Sequence, residues 1–380
     1  MQFSIRLIDR YVFLLFARVF LTSFLCLTGI YVVGDFVNNL AEFIEIGKAR
    51  GGMFPAMLSY YGARTPLFFD SMGRVVSLVS AVFAITWMQR HNEMTALMAA
   101  GISRWRIIRP LVIGVVGVAV LAAINRELVL PRLGDTLSQR AQDLVSEKGQ
   151  SLRAQYDRLT SILIDGKEAF PKKQMIGEPK FQMPSSLSAF GVFIAAEQAI
   201  YRSENEQHPA GFLMMNVTEP LDISGIDSVV GDQPLVMTSK DYKWLKPNQC
   251  FIASNVSLKQ LSGNPAWRQY ASTPSLVAAL NNPSLNLGSD VPMTIHGRVM
   301  QPIVDVLLFF LGVPVVLSRE SRNVFVSVGS CLLVVVAFFV ILTASQALGM
   351  AYIVTPALAA WLPVLVLMPW AILVSEPLRR

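Results

Sequence analysis

The chain has 380 residues, of which 53% are hydrophobic and only 15% charged, with a formal net charge of +6. Soluble domains carry about a quarter charged residues, so this composition excludes an ordinary soluble enzyme. The basic excess sits in short loops beside apolar runs, which fits membrane anchoring and argues against a nucleic-acid partner.

Six apolar runs are long enough to cross about 30 Å of hydrocarbon at about 1.5 Å per residue. They cover roughly 11–34, 66–88, 107–130, 299–317, 324–345 and 352–374. The first, YVFLLFARVFLTSFLCLTGIYVVG, lacks a small-residue cleavage site and reads as a retained helix. The second starts as early as Pro55 if the fairly apolar MLSYYGARTP joins it. Arg6 and Arg10 precede the first run, Arg90, Arg104, Arg106 and Arg109 separate the second from the third, Arg319 and Arg322 the fourth from the fifth, and Arg379 and Arg380 follow the sixth. Positive charge stays on the cytoplasmic side. Both termini are then inside, and residues 35–54 and the long polar insert outside.

Between the second and third runs lies RHNEMTALMAAGISRWRIIRP, residues 90–110. Asn92 is placed to cap a short helix, with Glu93 in its first turn. Met94, Leu97 and Met98 form one apolar face at helical spacing. Gly101 is placed to end that helix, Ser103 to start the next, and Arg104 follows. The residues allow a force-transmitting contact at 92–101 or an interfacial turn lying on lipid.

Residues 132–295 form the insert, with 15 Lys/Arg against 16 Asp/Glu. It opens with a polar continuation of the third run at 132–150. Short extended runs such as LTSILIDG, GVFIAAEQAIYR, GFLMMNVTEP and CFIASNVSLKQL alternate with Gly, Pro, Asn and Asp. This pattern predicts an all-β sandwich or open barrel of roughly six to ten strands, followed by a short helix at SLVAAL. His208, beside Pro209, reads as a surface-loop histidine and Trp244 as a buried sandwich residue. No nucleophile–base pattern and no metal-ligand spacing occurs, and Cys250 has no cysteine partner within the insert.

The spans carry more charge than passive anchors need. Arg18 lies in the first, Asp70 and Arg74 in the second, Asp305 in the fourth, and Glu127 at the outer end of the third. Ionisable groups in lipid are costly and usually face a bundle interior or a cavity. The alternatives are that Arg18 snorkels and that Asp70 and Arg74 pair at i,i+4.

Four stretches carry a family resemblance: NEMTALMAAGISRWRIIRP in the loop, ELVLPRL at 127–133, HGRVMQPIVDVLLFFLGVPVVLSRESR at 296–322 and ALGMAYIVTPALAAWLPVLV at 347–366. Together with the layout they resemble the lipopolysaccharide-export ABC-transporter permeases, the LptF/LptG family. The resemblance implies a multi-pass protein of the cell inner membrane, with transmembrane helices one to three in 1–131, a periplasmic β-jellyroll-like domain in 132–295 and helices four to six in 296–380. It implies half of a heterodimeric permease, paired with a paralogous subunit, that extracts lipopolysaccharide and passes it to periplasmic bridge proteins of jellyroll fold. A cytoplasmic ABC ATPase dimer would use the ATP; this chain has no Walker motif and implies no cofactor or catalytic residue of its own. The resemblance assigns the ATPase contact to the helix at 92–101, with Asn92, Glu93, Leu97, Met98, Gly101 and Arg104. It points to Arg18, Asp35, Asp70, Arg74 and Asp305 as candidates for the lipid cavity. Asp35, in GDFVNNL, stands where some members carry a basic residue, which leaves the head group to Arg74, Lys48, Arg50 or the second subunit. Two other readings stay open: ATP-driven export of another lipid or lipoprotein, and a secondary transporter built on Asp70 and Asp305.

Overall fold

The computed structural model describes residues 7–49, 52–137, 150–170, 173–205, 208–230, 234–261, 266–285, 287–317 and 324–375. Arg6, Arg50, Arg319, Arg322, Arg379, Arg380 and most of the polar continuation after the third span lie outside them. The chain divides into two units, Met1–Leu137 with Ser289–Arg380, and Ser138–Gly288. The edges expected from sequence, at 131/132 and 295/296, fall inside helices of the first unit.

Among the described residues, the first unit holds six membrane-spanning helical segments. Helix α1 (Leu7–Asn38) leads through the short α2 (Leu40–Ala49) to α3 (Met53–Arg90). The seven-residue α4 (Glu93–Ala99) precedes α5 (Arg104–Ile124), which runs through a π turn (Asn125–Val129) into α6 (Leu130–Leu137). Helices α10 (Asp290–Leu317), α11 (Val324–Met350) and α12 (Pro356–Val374) complete the bundle. At 38 residues α3 is about 57 Å long, well beyond the hydrocarbon thickness, so it joins outer and cytoplasmic surfaces as one continuous helix with Pro66 inside it.

Lipid offers no hydrophobic drive between helices, so close contact must come from shape. The buried face of α3 is rich in small residues, Ala63, Gly73, Ser77, Ser80, Ala81 and Ala84. The Ser80 and Thr86 hydroxyls donate back to the carbonyls of Val76 and Val82 at 2.6 and 2.8 Å, which removes their polar cost. Leu78, Ile85, Met88, Ile107, Leu308, Phe309 and Phe338 fill the core between α3, α5, α10 and α11. Helix α1 is attached differently. Val12 and Phe16 are its only buried residues, and Phe16 lies so near Gly114 that a Cβ there would sit 2.6 Å from its ring.

The second unit is one antiparallel sheet. Its ten strands among the described residues are β1 (Gln150–Ser151), β2 (Gln155–Tyr156), β3 (Leu163–Ile164), β4 (Gly166–Phe170), β5 (Met175–Gln182), β6 (Phe193–Arg202), β7 (Gly211–Glu219), β8 (Val229–Val230), β9 (Pro234–Thr238) and β10 (Gln249–Ala253). The order is β1-β4-β5-β6-β7-β10-β9-β8, with β2 on β3 and β3 on β5. One register runs through β3 and β4 against β5, so these two are a single strand broken at Asp165. Pairing is continuous along this path, so the β-domain expected from the sequence is a single hydrogen-bonded sheet.

Phe181 and Phe212 meet edge to face at 5.5 Å in the buried layer. Asp157 is fully buried and satisfied: Oδ2 accepts from the Ser254 hydroxyl at 2.6 Å, and Oδ1 from the Leu159 amide at 2.9 Å. Trp244 packs on Phe251 at 5.8 Å. His208 is not a surface residue. It is buried, with its ring 4.7 Å from Phe251 and 5.5 Å from Trp244 and Nδ1 2.9 Å from the Pro209 carbonyl oxygen, because the faces of its ring complete an aromatic group while its nitrogen keeps a polar partner. SLVAAL lies in α9 (Thr273–Leu280), and two short helices, α7 (Leu258–Leu261) and α8 (Ala266–Tyr270), precede it.

Candidate functional site

Charged side chains from α3, the π turn and α10 meet inside the transmembrane bundle. Arg126 donates from Nε and Nη2 to Asp70 Oδ1 at 3.0 and 2.6 Å. Arg74 Nε lies 3.6 Å from Asp305 Oδ1, which also accepts from Gln301 Nε2 at 2.9 Å. Arg298 lies 3.8 Å from Glu127. Asn125 donates to the Pro66 carbonyl at 2.8 Å. Each charge faces an opposite one, which removes most of the penalty of holding it at membrane depth.

The π turn makes this possible. Asn125, Arg126 and Glu127 are consecutive, yet they reach the α3 backbone, an α3 carboxylate and an α10 guanidinium. A π turn re-aims side chains in this way and recurs at functional positions. The i,i+4 pairing of Asp70 with Arg74 does not form. Asp70 accepts two N–H bonds from one guanidinium, a stronger arrangement than an intrahelical pair, and Arg74 turns to Asp305.

Three of the sequence candidates, Asp70, Arg74 and Asp305, thus come together. With Ser77, Leu78, Val115 and Phe309 they line a space of about 10 Å³, the scale of one water molecule. Arg18 and Asp35 stand apart from it. Arg18 is exposed on α1, and Asp35 accepts from the Tyr61 hydroxyl at 3.0 Å. The residues that complete the charge seam, Asn125, Arg126, Arg298 and Gln301, are absent from the sequence candidates. The polar trio NRE, breaking an apolar run at 125–127, is the signal that marks Asn125 and Arg126.

The cytoplasmic candidates assemble around α4. Asn92 occupies the cap position with φ 58° and makes no side-chain capping bond. The left-handed backbone turns its side chain away from the first amides, so Asn serves there through its tolerance of positive φ. Gly101, at φ 81°, ends the helix as expected. The Gly101 amide donates to Met98 O at 2.9 Å and the Ile102 amide to Leu97 O at 3.1 Å, a Schellman pattern. Met94 is buried in the transmembrane core, and Leu97, Met98 and Ile102 pack against it. Arg104 Nε contacts Met98 Sδ at 3.4 Å. The exposed side of α4 therefore consists of Thr95, Ala96, Ala99 and Ala100.

Two contacts tie this loop to α1. The Tyr11 hydroxyl donates to Glu93 Oε2 at 2.8 Å, and Arg106 lies 3.7 Å from Asp9.

Six spans, an inserted β-domain, a fixed cytoplasmic helix and the lack of any nucleotide-binding motif in the sequence define a polytopic membrane transport subunit. Energy for such a subunit enters through a partner. A family model described as lipopolysaccharide export system permease LptF/LptG matches residues 10–376. The chain belongs to this family. Among curated proteins, none matches it. It is accordingly a non-catalytic, multi-pass inner-membrane permease of lipopolysaccharide export, with its β-domain in the periplasm. Membership also implies the partners usual for an ABC exporter, an ATPase among them.

Proposed function

We propose that this chain is one half of a heterodimeric permease that takes lipopolysaccharide from the inner membrane and hands it through its β-domain to a periplasmic bridge of similar domains. A dimeric cytoplasmic ATPase drives the cycle and docks on α4. The near-full-length family match carries this reading. The geometry of α4 supports the docking site, since the helix is anchored through Met94, Leu97 and Met98 and turns only small residues outward. Small outward residues let a groove wall approach closely, and Glu93 at the amino end adds a charge for a basic partner.

The seam at Asp70, Arg74 and Asp305 acts in this reading as a neutral joint between α3 and α10. The head group is met by surfaces shared with the second permease subunit and by Lys48, exposed in the last turn of α2. The test is a photo-crosslinker at Phe212, inside the β-domain, in the complete complex reconstituted in nanodiscs. Lipopolysaccharide adducts that accumulate only with hydrolysable ATP are expected. Adducts independent of ATP, or formed equally with bulk phospholipid, would reject this route.

A further inference from the structure

Helix α1 has an uneven attachment. Its first turns carry both ties to the cytoplasmic loop and α5, Tyr11 on Glu93 and Asp9 on Arg106, and the buried Val12 and Phe16, while one directional hold, the Tyr61 hydroxyl on Asp35 at 3.0 Å, lies near its outer end. From Ala17 to Asn38 no residue of α1 is buried. The outer part touches α3 through aromatic rings, with Phe24 on Phe68 at 5.9 Å and Tyr31 on Phe68 at 5.3 Å. Ring contacts of this kind can slide, whereas the hydroxyl–carboxylate pairs at Tyr11 and Asp35 are directional; of the two, only Tyr11 reaches the cytoplasmic loop.

The partner of Tyr11 is in α4. A hydroxyl donating to a carboxylate is among the stronger hydrogen bonds, and it is made here at an exposed cytoplasmic edge, 82 residues apart in sequence. We propose that Tyr11 is a positioning residue: by holding Glu93 it couples α4 to α1, so that displacement of α4 is passed to the whole of α1. Asp9 and Arg106 hold the same end against α5. The inference rests on the reading that the ATPase docks on α4.

The geometry amplifies the motion. Phe16, seated against Gly114, is the outermost buried point of α1. Taking it as a pivot, the inner arm to Tyr11 is about 7.5 Å long and the outer arm to Asn38 about 33 Å, at about 1.5 Å per residue. A shift of about 1 Å at Tyr11 then becomes roughly 4 Å at the outer end, where the Tyr61–Asp35 bond must move with α1 or break.

The test uses the complete complex in nanodiscs, with spin labels on cysteines replacing exposed Val37 near the outer end of α1 and Leu358 in the first turn of α12. The distance is read without nucleotide and with ATP and vanadate. Tyr11→Phe keeps the ring and removes only the hydroxyl. It is expected to recruit the ATPase normally and keep its thermal stability. It should lose at least half of the nucleotide-dependent shift and lower lipid-stimulated ATP hydrolysis threefold or more. In a Glu93→Ala background Tyr11→Phe should add nothing further. A full shift and full stimulation in Tyr11→Phe would overturn the proposal, as would an effect of equal size in the Glu93→Ala background. Failure of the docking reading shows separately: Ala99→Arg, on the exposed face of α4, would then recruit the ATPase as well as wild type.

Discussion

Arg126 reaches Asp70 with two nitrogens, at 3.0 and 2.6 Å, from a π turn that lies 56 residues away in sequence. Both side chains are largely removed from solvent. Removing one partner leaves a charge uncompensated, a change that costs about 3–5 kcal/mol when a buried pair is broken. Asp70→Asn and Arg126→Gln should each lower the unfolding temperature in detergent markedly. The double variant should be less damaged than the sum of the two, with a coupling of about 0.5–3 kcal/mol. Strict additivity in that cycle would mean the pair does not hold α3 to the π turn.

Gly114 is the point where α5 admits Phe16 of α1. A Cβ there would lie 2.6 Å from the ring, closer than real Cβ contacts. Gly114→Ala should therefore destabilise by about 1–3 kcal/mol through overpacking. Phe16→Leu, by vacating the space, should recover part of the loss in the double variant. Thermal unfolding of the three variants checks this, and no loss in Gly114→Ala would show that α1 shifts freely at this level.

The two faces of α4 should respond differently. Leu97→Asp places a charge against the transmembrane core, where burial without a partner is costly, so it should reduce the yield of folded protein. Ala96→Arg or Ala99→Arg alters only the exposed side and should leave the spans folded while reducing co-purification of the ATPase tenfold or more. Glu93→Ala should be milder in recruitment, since it keeps the apolar anchor. Normal recruitment with both arginine variants would place the ATPase contact elsewhere.

Cys250 is fully buried in β10, and burial pushes its thiol up to about 12. An unperturbed thiol ionises near pH 8.5. Below that value both folded and unfolded forms are protonated and the stabilising difference is fully present. As pH rises, the unfolded thiol ionises first, so this contribution is lost progressively between about pH 8.5 and about 12. Cys250→Ala should flatten the alkaline loss of stability. At pH 8, maleimide should label Cys250 only after denaturation, while Cys26, exposed on α1, is limited only by lipid. Rapid labelling of Cys250 in the native chain would show that β10 opens readily.

Several features were legible without coordinates because they are local. Six runs of apolar residues can only be spans, since a helix must satisfy its own backbone groups in lipid. Gly101 ends α4 because a left-handed residue is needed there, and Met94, Leu97 and Met98 share a face by helical spacing alone. Alternating short runs with turn residues announced a β-domain. The family resemblance, carried by the loop and three further stretches, identified the permease.

What the linear chain could not hold was decided by which helices touch. Asp70 and Arg74 satisfy i,i+4 spacing, yet each finds its partner on another segment, because the π turn rotates Arg126 inward and α10 brings Asp305 alongside. Asn92 has the residue type of a cap, but a left-handed backbone set by the tight passage from α3 takes its side chain out of reach. His208 looked like a loop residue until Trp244 and Phe251 enclosed it. Tyr11 carries no motif at all, and only the packing of α1 against α3 and α5 brings its hydroxyl to a carboxylate. Spacing along one helix determines which side chains share a face; the packing of separate helices determines which charge that face meets.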